Sequence, residues 1–149
     1  MKHYKIIIFL VLITQISIYS QTLELPRVSS KAMVKQNLGL SFVEINYSRP
    51  GVKGREIWGK LVPYNDGIPF PWRAGANENT TIEISDDAKI NGMPINAGKY
   101  GFHIIPSEDD WIIIFSKQSK SWGSFFYDSQ YDALIMKVKP IKNEFTEWL

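Results

Sequence analysis

Residues 88–105 read AKINGMPINAGKYGFHII and decide which kind of fold the chain can adopt. Asn91-Gly92 lies between two short apolar segments. This is the strongest short-range signal for a β-hairpin, because both central residues of a type I′ turn need a positive φ. After the hairpin, apolar and other residues alternate with a period of two, which places them on opposite faces of a strand. The stretch therefore predicts antiparallel β structure, with Tyr100 on one face and His103 on the other.

Four further segments have patterns that are typical of strands. Residues 40–48, 80–85 and 131–139 alternate with a period of two. Residues 110–117 are instead apolar at every position from Trp111 to Phe115, which indicates a central strand covered on both faces. One short helix is predicted, at residues 54–61 (GREIWGKL). Because strands spaced about ten residues apart without a long helical pattern indicate a sandwich or barrel, we predict an all-β, single-domain antiparallel β-sandwich or flattened barrel.

A long segment without any period connects the strand that ends near Ser48 to the strand that begins near Thr80. Loops of this length in a compact domain are usually functional or disordered. Disorder does not fit here, since the Trp, Tyr and Phe side chains of the segment are too apolar to stay in water without packing. We therefore predict an ordered loop excursion near residues 49–79 that packs on the sandwich.

The first twenty residues have the pattern of a signal peptide. MKHYK supplies positive charge, IIIFLVLITQISI is the apolar region, and Ser20 is a small residue at the cleavage position. A transmembrane anchor is the alternative, but the apolar run is shorter than the ~20 residues that a spanning helix needs. We predict a signal peptide at 1–20, a flexible segment at 21–28, one β domain at 29–149, and export to the periplasm or out of the cell.

Charge and cysteine content exclude several classes of function. Of the 17 Lys and Arg residues, Lys2 and Lys5 lie in the signal peptide, so 15 remain to balance the 15 Asp and Glu residues. A balanced chain does not favour nucleic acid, which needs clustered surplus positive charge. The absence of cysteine excludes disulfides, thiol catalysis and a cysteine-anchored lipid, so the chain is not a lipoprotein. No later stretch is apolar enough to span a membrane.

Three motifs that follow one another along the chain resemble the bacterial family known as domain of unknown function 2911 (DUF2911). They are SRPGVKGREIWGKLVPY (48–64), PWRAGANENTT (71–81) and NAGKYGFHIIP (96–106), and the resemblance runs from about Ser29 to the end of the chain. The resemblance implies an exported protein of a kind common in Bacteroidota. It does not imply any particular activity. Family members usually continue into further strand beyond the equivalent of Trp148, so we also expect a domain that is truncated at its C-terminal end.

Metal and cofactor chemistry has little support in the sequence. After the signal peptide His103 is the single histidine, and without cysteine a zinc site of usual composition is not predicted. The acidic pairs and triplets lack the spacing of a calcium loop. There is no Gly-x-Ser-x-Gly elbow, phosphate loop or dinucleotide fingerprint. We therefore predict no metal and no cofactor.

The polar and aromatic residues of the excursion, together with His103, are the candidates for a ligand site. Guanidinium groups suit carboxylate, phosphate or sulfate, and indole rings suit a sugar or a cation. His103 is the group expected to titrate near neutral pH, and Glu78 is its candidate acid–base partner. The candidate ligand-binding residues are Arg49, Arg55, Trp72, Arg73, Asn77, Glu78 and His103.

Four of these residues also have a structural interpretation. Arg73 and Glu78 pair with each other in one alternative, and Arg55 caps backbone carbonyls in another. Trp72 closes one end of the sandwich in a third. The ligand-binding and structural interpretations both stay open at the level of the sequence.

Three functions follow from these alternatives. The leading hypothesis is an exported binding module for a small polar ligand, anionic or carbohydrate. The second is a metal-independent hydrolase or lyase with His103 and Glu78 as its acid–base pair. The third is a structural or interaction protein of the cell envelope. An enzyme is favoured less than a binding module, because the sequence contains no recognisable catalytic set.

Overall fold

The structure is a computed structural model, and it describes residues 25–62, residue 64 and residues 71–148. The predicted signal peptide lies outside these residues, as do residues 21–24 of the segment predicted to be flexible. The described residues form eight strands: β1 (Ser30–Leu38), β2 (Ser41–Arg49), β3 (Thr80–Ile84), β4 (Ala88–Ile90), β5 (Met93–Ile95), β6 (Gly98–Ile105), β7 (Trp111–Ser116) and β8 (Asp132–Val138). A 3₁₀ turn, Ser129–Tyr131, precedes β8.

Six of the strands form one antiparallel sheet in the order β1-β2-β3-β6-β7-β8, and β4 and β5 form a separate two-stranded sheet. The described part of the chain is all-β and does not close into a barrel. The predicted all-β antiparallel class is therefore confirmed. The chain leaves the main sheet after β3, forms β4 and β5, and returns to the main sheet as β6. The β4–β5 hairpin therefore adds a second layer and does not extend the main sheet.

The hairpin turn has the predicted geometry. Asn91 has a φ of 49° and Gly92 a φ of 82°, and Ile90 pairs with Met93 across the turn. Both central residues therefore adopt the positive φ that a type I′ turn requires. The turn directs β5 back along β4, and Ile95 of β5 reaches the hydrophobic core.

The two faces of the main sheet are covered in different ways. The core face carries Tyr100 and Phe115, which pack with the apolar side chains of the β4–β5 hairpin and of β8. The opposite face, which we call the loop face, carries His103 and its register partner Ile114. Both are almost fully buried, at 2% exposure. The connection between β7 and β8, residues 117–131, supplies contacts on this face and is called the β7–β8 loop.

Two local predictions were wrong or incomplete. Residues 54–61 form turns instead of a helix. Gly59 adopts a φ of 77°, and hydrogen bonds from Gly59 N to Val62 O and from Val62 N to Ile57 O close the turn. A φ of this sign is incompatible with a right-handed helix. Strand β1 was not predicted, because as an edge strand it is exposed along most of its length and its alternation is weak.

The excursion between β2 and β3 packs on the sheet where it is described. Trp58 contacts Trp72 edge to face at 5.8 Å between ring centroids, and it contacts Trp111 of β7 at 4.7 Å. The backbone of Trp72 pairs with Ile104 of β6 in both directions, at 2.6 and 2.8 Å. These three indole rings anchor the excursion to the end of the sheet. Residues 63 and 65–70 of the predicted excursion lie outside the described residues.

Candidate functional site

Residues 73–79 form a loop that leaves the edge of β6 and returns to it. Trp72 pairs with Ile104, and Thr80 pairs with Phe102 only two positions away on the same strand. The intervening residues, called the 73–79 loop, therefore protrude from the sheet. Two of them adopt a positive φ although neither is glycine: Ala74 at 52° and Asn77 at 62°. Such conformations cost on the order of 1 kcal/mol or more each and persist only where their surroundings hold them.

Hydrogen bonds from three directions hold the 73–79 loop. The hydroxyl of Thr80 donates to the carbonyl of Ala74 at 2.9 Å. The backbone of Asn79 donates to the carbonyl of Ser121 at 3.1 Å, and the amide of Asn77 donates to the carbonyl of Ser29 at 3.4 Å. The loop thus connects the start of β3 to the β7–β8 loop and to the beginning of β1.

Glu78 does not pair with Arg73. Nη1 of Arg27 donates to both carboxylate oxygens of Glu78, at 2.6 and 2.8 Å, and Nζ of Lys31 lies 3.4 Å from one of them. The hydrogen bond from Arg27 is the main reason that the pKa of Glu78 falls to about 2. Glu78 is therefore ionised at neutral pH and bound to the N-terminal segment of the domain.

Arg73 has no carboxylate partner among the described residues. Its Nη1 donates to the carbonyl of Asn77 at 2.6 Å, and its Cζ lies 5.3 Å from the centre of the Phe125 ring. The guanidinium also lies directly against Gly123, where an added Cβ would approach Cζ to 2.5 Å and Nη1 to 2.6 Å. Any larger side chain at that position would displace the guanidinium, so Gly123 makes room for the half-buried cation.

His103 lies under the same part of the β7–β8 loop. Its Nδ1 is 2.8 Å from the hydroxyl of Ser124, and its ring contacts the ring of Tyr127 at 5.3 Å. Burial lowers the pKa of His103 to about 4, so the imidazole is neutral at physiological pH. No hydrogen bond or ion pair joins His103 to Glu78 within the described chain.

Gly101 allows the β7–β8 loop to approach this face of the sheet. An added Cβ would lie 2.4 Å from the carbonyl oxygen of Gln118 and 3.0 Å from Nδ2 of Asn79. Nδ2 of Asn79 donates to that same carbonyl at 3.3 Å, whereas its Oδ1 is buried without a partner in the described residues. Small size at position 101 therefore decides how closely the loop covers the sheet.

A second buried polar contact lies at the end of the β7–β8 loop. The hydroxyl of Tyr127 donates to Oδ2 of Asp132 at 2.6 Å. Burial raises the pKa of both groups, so Tyr127 stays protonated and acts as the donor. The pair positions the ring that packs against His103.

The structure brings together only some of the candidate residues. Arg73, Asn77 and Glu78 share the 73–79 loop, and consecutive residues of the β7–β8 loop connect Arg73 to His103. Arg55 lies elsewhere and caps the carbonyls of Gly51 and Val52, as its structural interpretation predicted. Trp72 packs against Trp58. Arg49 ends β2 opposite Ser30.

Sequence reasoning missed the β7–β8 loop. This loop contains a cleft of about 510 Å³ lined by Lys117, Gln118, Ser119, Lys120, Ser121, Trp122 and Phe126. The available signal was the length of the non-strand segment between β7 and β8, since long ordered loops are often functional. Its mixture of lysine, serine and aromatic residues was a second signal.

Other classes of site and segment are absent from the described parts of the chain. No three His, Asp or Glu side chains within residues 25–62, 64 and 71–148 are grouped so that they could hold a metal ion. In the same residues, no helix has the length and hydropathy required to cross a membrane.

Comparisons with known proteins address the family but not the activity. Neither the curated proteins nor the solved structures give a match. A family model described as "Protein of unknown function (DUF2911)" matches residues 29–149. That match covers every strand of the fold and both loops of the candidate site. The chain therefore belongs to the DUF2911 family.

Proposed function

We propose that the protein is an exported binding module that holds a small polar anion at Arg73. Export follows from the signal-peptide pattern of residues 1–20. The single observation that carries the binding proposal is the state of Arg73. It is half-buried, and its hydrogen-bond acceptor among the described residues is the carbonyl of Asn77. No described carboxylate lies within ion-pair distance of it.

The cost of burying a cation supports this proposal. A guanidinium carries five N–H donors, and a charge removed from water is costly unless it is paired or hydrogen-bonded. The carboxylate nearest in sequence, Glu78, is held by Arg27 and Lys31 instead. An anion with two oxygens, such as a carboxylate, phosphate or sulfate, would supply the acceptors that Arg73 lacks.

The surroundings of Arg73 also favour a preorganised site. The guanidinium lies over the ring of Phe125 and against Gly123, so two residues of the β7–β8 loop contact it. The strained backbone at Ala74 and Asn77 positions the carbonyl that accepts from Nη1. Strain of this kind is often found where a ligand is bound.

The experiment compares two arginines of the same excursion. A thermal-shift and calorimetric screen of acetate, phosphate, sulfate and glucuronate should find an anion that raises the melting temperature, because a ligand of the native state stabilises it. Arg73→Ala should lower the affinity at least tenfold, since a charge-assisted hydrogen bond contributes about 1.5–3 kcal/mol. Arg73→Lys should restore only part of it, because lysine lacks the planar fork.

Arg55→Ala is the matched control. Arg55 donates to the carbonyls of Gly51 and Val52, so its removal should lower the melting temperature and leave anion binding unchanged. Equal affinity of Arg73→Ala and the wild-type protein for every anion tested would contradict the proposal.

The hydrogen bond between His103 and Ser124 favours one second candidate, a metal-independent hydrolase with His103 as its base. Ser124 lies 2.8 Å from Nδ1 of His103, whereas Glu78, the partner considered from the sequence, is bound to Arg27. Covalent labelling of Ser124 by a fluorophosphonate, lost in His103→Gln, would support this candidate. Hydrolysis that depends on Glu78 but not on Ser124 would instead support the pair His103 and Glu78.

A further inference from the structure

The β7–β8 loop offers a second candidate region for ligand binding. Its cleft, of about 510 Å³, is lined by residues 117–122 and by Phe126, and Arg73 is not among the lining residues. The chemistry of the lining is mixed, with two ammonium groups, hydroxyl and amide groups, and two aromatic rings. We propose that this cleft binds a sugar ring that carries an acidic substituent, a carboxylate or a sulfate.

The charge of the cleft supports an anionic ligand. Lys117 and Lys120 line it, and no acidic residue does. No described carboxylate lies within 4.0 Å of either ammonium group, although four other lysines of the described chain have such partners: Lys31, Lys35, Lys99 and Lys137. Two cations without a described carboxylate partner in the lining of an open cleft attract an anion.

The aromatic rings support a ligand with a flat apolar face. The side chain of Trp122 is 54% exposed and that of Phe126 is 77% exposed, although side chains of this size are usually covered in a folded domain. Aromatic faces combine apolar contact area with a preferred stacking geometry. The C–H face of a pyranose fits such a surface, while its hydroxyls reach the side chains of Gln118 and Ser119.

The backbone of the cleft is held in place before any ligand binds. The carbonyls of Gln118 and Ser121 accept hydrogen bonds from Asn79, and Lys117 N donates to the carbonyl of Tyr131 at 2.8 Å. The lining side chains therefore project from a backbone that is tied to Asn79, next to the start of β3, and closed on itself at Tyr131. Preorganisation of this kind reduces the entropy cost of binding.

Isothermal titration of the full mature chain tests the proposal with four probes. They are trigalacturonate, a sulfated trisaccharide, neutral maltotriose and a short oligothymidylate. The acidic sugars should bind at least about tenfold more tightly than maltotriose, and their affinity should fall as the salt concentration rises. The two acidic sugars distinguish a carboxylate from a sulfate as the acidic group. Tighter binding of the oligonucleotide than of both acidic sugars would overturn the proposal, because a basic aromatic cleft can also stack bases.

Variants of the cleft locate the binding. The double variant Lys117→Ala/Lys120→Ala should lower the affinity for the acidic sugar about tenfold or more, and Trp122→Ala should lower it about threefold to tenfold. Lys89→Ala on β4 removes an exposed lysine outside the cleft and should change nothing. Circular dichroism melting confirms that each variant folds, which is expected because the substituted side chains are exposed.

The result separates this proposal from the one on Arg73. Arg73→Ala should leave the binding of acidic sugar to the cleft intact, and the double lysine variant should leave anion binding at Arg73 intact. Failure of both acidic sugars to bind, equal binding of maltotriose, or unchanged affinity in the double lysine variant would each overturn the cleft proposal. None of these results would contradict the role of Arg73.

Discussion

The two faces of the six-stranded sheet differ in what covers them. The core face is covered by the apolar side chains of the β4–β5 hairpin. The loop face around His103 is covered by a segment without strand structure, which is held by two hydrogen bonds from Asn79 and by the contact between Ser124 and His103. Apolar burial is non-directional and stabilises in proportion to area, whereas each polar contact depends on one geometry.

We therefore expect the two faces to have different roles. The core face should supply most of the stability, and its side chains should tolerate replacement by others of similar volume. The loop face contains buried or half-buried polar groups, and both candidate sites adjoin it. An arginine without a carboxylate partner among the described residues and a buried amide oxygen without a hydrogen bond would each be costly in a face whose only role was packing.

The largest expected effect is on the core face. Phe115 is 4% exposed and packs on the rings of Tyr100 and Phe102, at 6.3 and 5.4 Å. Phe115→Ala should lower the free energy of unfolding by about 3–5 kcal/mol, because it removes buried area and leaves a cavity. Urea denaturation measures the change. Phe126→Ala, at a ring that is 77% exposed, is the matched control and should cost less than about 0.5 kcal/mol.

Acid should weaken the loop face through His103. Burial lowers its pKa from 6.5 to about 4, so between these values the unfolded chain binds a proton that the folded chain does not. The contribution of the neutral His103 to the free energy of unfolding is therefore fully present above pH 6.5 and falls as the pH decreases towards 4. The total loss is about 3 kcal/mol at most. Unfolding measured across this window in the wild-type protein and in His103→Gln isolates the contribution. An identical pH dependence in both proteins would show that His103 does not control it.

A smaller effect is expected where the β7–β8 loop approaches the sheet. Gly101→Ala would place a Cβ 2.4 Å from the carbonyl of Gln118, and the loop would have to move. We expect a loss of about 2 kcal/mol and increased hydrogen exchange at Asn79 N and Lys117 N. Gly39→Ala is the control for an added Cβ that meets no neighbour, since no atom lies within 4 Å of it and any loss of stability there comes from the positive φ of 66°. Equal effects of both variants on hydrogen exchange in the β7–β8 loop would show that the close contact between Gly101 and the Gln118 carbonyl does not position the loop.

Local patterns were sufficient to predict most of the strands. The alternation in β2, β3, β6 and β8, the apolar run of β7 and the Asn91-Gly92 turn all depend on residues that are close in sequence. They also placed His103 correctly on the face opposite Tyr100. Where the local signal was weak, as in the exposed edge strand β1, or misleading, as in the apparent helix at 54–61, the prediction failed.

The sequence by itself determined the β class, the hairpin turn and the side of the sheet on which His103 lies, because period and turn chemistry are local properties. Only the tertiary structure decided which charges meet. It paired Glu78 with Arg27, left Arg73 to the carbonyl of Asn77, and placed Ser124 beside His103. The physical reason is that hydrogen bonds and ion pairs between residues far apart in sequence depend on strand order and on loop paths, and neither has a period that a sequence displays.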